Sequence, residues 1–117
     1  MENTKDNLYE VIVTGPAEES FYNILDYLYK HYNSEKAGEI AGELRDITET
    51  LNHQPGRGTY EPRLSHFGKS HRFILFKRTS RADIKVIYYI DDASKTVYVT
   101  DFFPTEMDDT QISERNR

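Results

Sequence analysis

The chain contains no cysteine, which removes disulfides, thiolate nucleophiles and cysteine-based zinc or iron–sulfur sites and fits a reducing compartment. Histidine is sparse as well. His31, His53, His66 and His71 show no HxH or HxxxH spacing, so the residues predict no metal site and the four are read as surface side chains. No apolar run approaches the roughly twenty residues that span a bilayer, and MENTKDNLYE lacks the apolar core of a signal peptide. Together these absences predict a soluble, cytoplasmic protein without metal, cofactor or membrane contact.

A length of 117 residues fits one domain with a single core that needs no staples. The net charge of −5 argues against a dedicated nucleic-acid binder, but the charge is unevenly spread. Between Arg57 and Lys85, eight basic residues stand against Glu61 and Asp83, so this segment carries +6 and the remainder −11. It is basic enough to meet phosphate, and equally compatible with ordinary surface cations.

Periodicity predicts the elements. Residues 8–14 (LYEVIVT) are rich in β-branched residues, with Tyr9, Val11 and Val13 on one face, and suit a first strand. Gly15-Pro16 and the acidic pair Glu18 and Glu19 then start a helix whose core stripe is Phe21, Ile24, Leu25, Leu28 and Tyr32. Ser34 is the expected N-cap of a second helix running to His53, with Ala37, Ile40, Ala41, Leu44, Ile47 and Leu51 inward. HQPGRGTYEP reads as a surface loop, with nothing regular before His71. Strands follow at 72–78, 84–90 and 96–103, the last two joined at DDASK. Residues 1–7 and 105–117 read as polar tails around a domain at 8–104. The expected fold is α+β, in the order β-α-α-β-β-β, with a helical hairpin on one face of a small, mostly antiparallel sheet.

Alternation assigns the faces. Ile84, Val86, Tyr88 and Ile90 go to the helices with Val97 and Val99, while Lys85, Ile87, Tyr89, Tyr98, Thr100 and Phe102 face away. On the preceding strand Phe73 and Leu75 are expected inward, and Arg72, Ile74, Phe76 and Arg78 outward. An open face of cations and tyrosines would suit a nucleic-acid backbone or an acidic partner segment, and Lys85 equally suits a merely solubilising role.

Three stretches carry a family likeness. YEVIVTGPAEESF, LNHQPGRG and IKVIYYIDDASKTVYVTDFF resemble the opening strand and helix, the exit of the second helix, and the final hairpin of the RelE/ParE superfamily. These are toxins of bacterial type II toxin–antitoxin, or plasmid stabilisation, systems. The resemblance implies a cytoplasmic toxin that inhibits growth by cutting messenger RNA on the ribosome or by poisoning DNA gyrase, neutralised by a cognate antitoxin. For a metal-independent nuclease it places Lys85, with Arg78 and Arg81, as candidate catalytic cations, and Arg72, Lys77, Tyr89 and Tyr98 as candidate RNA- or target-binding residues. His66 and His71 are candidate acid–base groups. The chain departs from the nuclease pattern at two points: Lys85 stands where the family has an arginine after tyrosine, and Pro104-Thr105-Glu106 replaces a basic stretch. Lysine keeps the charge but not the two-pronged phosphate contact of arginine. A catalytically silent RelE/ParE-like interaction module is the alternative.

Overall fold

The computed structural model describes residues 8–78 and 83–116. Strand β1 (Glu10–Val13) leads into helix α1 (Gly15–His31), which begins where the Thr14 hydroxyl accepts from the Ala17 N–H. Helix α2 (Ser34–Glu49) is capped by Asn33 rather than by the expected Ser34, because the Asn33 side chain accepts from the Lys36 N–H at 2.8 Å. It ends at Glu49 and tightens into a short 3₁₀ turn, Thr50–Asn52, four residues earlier than its apolar spacing suggested.

Strands β2 (Thr59–Tyr60), β3 (Arg72–Lys77), β4 (Asp83–Asp91) and β5 (Thr96–Pro104) complete one sheet in the order β1-β5-β4-β3-β2. Every pairing is antiparallel except β1 with β5. This is the expected α+β arrangement, with β1 at the sheet edge. The hairpin α1–α2 covers one face, packing Phe21, Ile24, Leu28, Ile40 and Leu44 onto Ile84, Val86, Tyr88, Val97 and Val99. Each buried aliphatic side chain contributes roughly 1.5–3 kcal/mol, so this stripe dominates the stability of the fold.

The other face is not open as predicted. The 3₁₀ segment Pro62–Phe67 and the C-terminal helix α3 (Gln111–Arg115) lie on it and build a second cluster from Leu64, Ile87, Phe103 and Ile112. The polar stretch after Pro104 is therefore docked through Ile112 instead of fraying. Residues 53–71, read as a surface loop, bury Pro55, Glu61 and Leu64. Tyr88 ties this segment down: its hydroxyl donates to the Pro55 carbonyl and accepts from the Gly58 N–H.

Two face assignments are corrected. In β3 the register pairs Ile74 with Val86 and Phe76 with Ile84, so Ile74 and Phe76 pack toward the helices while Phe73 joins the second cluster and Leu75 is exposed. The alternation is intact but its phase is reversed, and cross-strand pairing decides the phase. In β5 the register slips between Ile87 and Tyr88, leaving Thr100 as the extra residue, so Phe102 turns to the helices and Phe103 away from them. Such a bulge inverts everything beyond it.

Candidate functional site

Lys85 is the third residue of β4, on the face away from the helices. Its ammonium donates to Glu61 Oε1 at 2.7 Å, with the two side chains 18% and 1% exposed, and it lies 4.3 Å from the centroid of the Phe73 ring. The second carboxylate oxygen of Glu61 accepts from the Arg63 N–H at 3.0 Å, so this acid also starts the 3₁₀ segment that covers the sheet. A cation in an otherwise apolar strand thus neutralises a buried carboxylate, which would be costly if left alone.

Further along the same face Tyr89 and Tyr98 are cross-strand partners with rings stacked at 5.2 Å. The ammonium of Lys69 sits 4.7 Å from the Tyr89 centroid, and His71 meets the Tyr89 ring edge-on at 5.3 Å. His71 is buried, contrary to the surface reading, and its Nδ1 has no partner among the described residues. Desolvation, with help from the Lys69 charge, holds its pKa below the ordinary histidine value, so the ring is kept neutral near pH 7. His71, Tyr89, Phe67 and Lys69 border a cavity of about 290 Å³. His66 is exposed, with its Nε2 3.2 Å from the Ser113 hydroxyl.

Arg78 belongs to the opposite face. Its side chain is 6% exposed, lies against the Tyr27 ring of α1 at 5.5 Å and reaches Glu106 Oε1 at 3.3 Å. It borders a cleft of about 350 Å³ floored by Ile24, Ile84 and Phe102. The structure therefore separates Lys85 from Arg78 by the thickness of the sheet, and Arg81 lies outside the described residues. Lys77 pairs with Asp83 at 3.6 Å at the strand end. Arg72 donates to the carbonyls of Gly56 and Gly58 and to the Tyr60 hydroxyl, all within 2.9 Å, so it ties the loop to β3.

The residues that organise both faces were not all singled out by sequence. Asp101, 1% exposed, accepts from Arg115 Nη2 at 2.7 Å and Nε at 3.0 Å, from Asn116 at 3.0 Å and from Ser20 at 2.9 Å. This four-donor knot joins α3, β5 and α1. The only sequence signal for it was Ile112, an apolar residue three before Arg115 in a polar run.

No helix among the described residues is long and apolar enough to cross a membrane. A family model described as the ParE toxin of type II toxin–antitoxin system, parDE, matches residues 11–109. No curated protein matches the chain.

Proposed function

Given that the chain belongs to the ParE family of type II toxins, whose members are paired with a cognate antitoxin, we propose that it arrests growth by binding a protein target, DNA gyrase, and not by cutting RNA. The observation that carries this reading is the Lys85–Glu61 pair. The cation that the nuclease comparison would place at a scissile phosphate is already neutralised at 2.7 Å by a buried carboxylate. Metal-free phosphoryl transfer depends on converging donors around developing negative charge. Here the two described candidate cations lie on opposite faces of the sheet. Arginine's absence at position 85 and the acidic Glu106 after the last strand point the same way.

Tightly induced expression, followed with labelled thymidine and methionine, tests the proposal. It predicts that thymidine incorporation falls first, with chromosome breaks, and that the purified chain inhibits supercoiling by gyrase. Early loss of methionine incorporation with cleaved messenger RNA would transfer the assignment to the ribosome. Growth unaffected by a folded chain would identify a silent interaction module instead.

A further inference from the structure

The cavity of about 290 Å³ beside His71 lies where the start of α1, the end of α3, strands β4 and β5 and residues 67–71 meet. Two backbone irregularities border it. Thr100, the extra residue of the β5 bulge, lines one side, and bulges concentrate beside functional sites. On the other side Gly68 (φ 73°) and Ser70 (φ 56°) both take the left-handed conformation around Lys69. Glycine adopts it freely, whereas serine does so at a steric cost that persists only where the surroundings enforce it. Between these two positions and just after them, Lys69 and His71 both meet the Tyr89 ring.

The polar groups around the cavity differ in what they already hold. The Thr14 hydroxyl caps α1, the Thr100 hydroxyl donates to Asn116 Oδ1 at 2.6 Å, and Arg115 is committed to Asp101. Lys69 and His71 are not committed in this way. Lys69 is exposed, its ammonium lies over the Tyr89 ring, and it forms no ion pair among the described residues. His71 is buried, and its Nδ1 has no partner among them. A neutral imidazole has one donor and one acceptor nitrogen, so with Nδ1 sealed off, Nε2 is the nitrogen left to meet a ligand. Lys69 and Tyr89 also border the open groove beside Tyr60 and Arg72, which puts the ammonium where the cavity opens.

The volume lies at the lower end of sites that enclose a small ligand. A cation at the mouth, an imidazole behind it and the rings of Phe67 and Tyr89 as walls fit an acid with a flat apolar body. A bare inorganic anion would leave the rings uncovered, and a neutral aromatic molecule would leave Lys69 without a counter-charge. We propose that this cavity binds a small aromatic carboxylate, its ring against Phe67 and Tyr89 and its carboxylate accepting from the Lys69 ammonium and His71 Nε2–H. A carboxylate held by a charged donor makes a shorter and stronger contact than a neutral amide there. The site does not include the Lys85–Glu61 pair, and its occupancy does not depend on whether the chain acts on gyrase.

The probe is benzoate, compared with benzamide, which keeps the ring without the charge, and with acetate, which keeps the charge without the ring. Each is titrated into the full chain at about pH 7.5, where the carboxylate is ionised and the imidazole neutral, and followed by NMR at the ring protons of His71, Phe67 and Tyr89. Benzoate should saturate these shifts and bind about tenfold more tightly than benzamide, the scale of one charge-assisted contact. Acetate should bind more weakly than benzoate by a similar factor, since it buries no ring. Lys69→Gln removes an exposed side chain that holds no ion pair, so the fold is kept and the preference for benzoate over benzamide should vanish. His71→Phe fills the same space without a donor and should weaken benzoate severalfold. Shifts that do not saturate, shifts mapping away from these rings, acetate equal to benzoate, or a preference that survives Lys69→Gln would overturn the assignment. The readout is binding to the purified chain, so a failed gyrase mechanism and a failed carboxylate site give different results.

Discussion

Replacing Lys85 with methionine keeps an unbranched side chain one atom shorter and removes the ammonium, leaving Glu61, 1% exposed, without its 2.7 Å partner. Breaking a buried pair from one side costs about 3–5 kcal/mol. Because the ammonium retains some contact with water, the lower end applies, about 3 kcal/mol. With a urea slope of about 1.5 kcal/mol/M for a chain of this size, the unfolding midpoint should fall by roughly 2 M. The double substitution Lys85→Met with Glu61→Gln removes both charges and keeps an amide oxygen for the Arg63 N–H, so it should recover about 2 kcal/mol of the loss. A double-mutant cycle by urea denaturation measures the coupling directly. A single-variant loss under about 1 kcal/mol, or a double variant no more stable than Lys85→Met, would refute the account of Lys85 as a buried counter-ion. On the same account the restored double variant still arrests growth; loss of arrest with full stability would return Lys85 to a catalytic role.

Three further outcomes are expected. Gly58→Ala should destabilise by about 1–3 kcal/mol, as overpacking does, because its methyl would collide with the Tyr88 hydroxyl and come within 2.8 Å of the Phe73 carbonyl oxygen; thermal melts would show this. Arg115→Ala strips the strongest donor from buried Asp101 and should cost about 3 kcal/mol, with hydrogen exchange accelerated first in α3 and at Phe103. For His71, the folded pKa lies below the unfolded one, so the unfolded chain binds the extra proton more readily. Stability should be complete above about pH 6.5, the unfolded histidine value, and fall as pH drops below it. His71→Phe should flatten that slope between urea midpoints taken at pH 7.5 and 5.5, and an unchanged slope would contradict the burial argument.

The helices were legible because their stripes are local. Phe21, Ile24 and Leu28 recur at helical spacing whatever they pack against, and Pro16 with Glu18 marks a helix start in any context. The hairpin β4–β5 was legible for a similar reason, since Ile84, Val86 and Tyr88 alternate strictly and the acidic turn lies between two apolar runs. What failed was relative phase. Arg72 to Arg78 alternates equally well with either face inward, and only pairing with β4 decides that Ile74 and Phe76 meet the helices. The slip at Thr100 leaves no mark in a single strand, yet it exchanges the sides of Phe102 and Phe103.

The candidate site divides along the same line. The sequence by itself determined the helical hairpin, the antiparallel sheet, the family likeness and the presence of a cation at position 85, all properties of neighbouring residues and their order. The tertiary structure alone decided that Lys85 is claimed by Glu61, that Arg78 turns to the far side of the sheet, and that Arg115 locks onto Asp101. Each is a meeting of charges at least fourteen residues apart in the chain, and the pairing that offsets the cost of withdrawing a charge from water exists only once the backbone has brought the partners together.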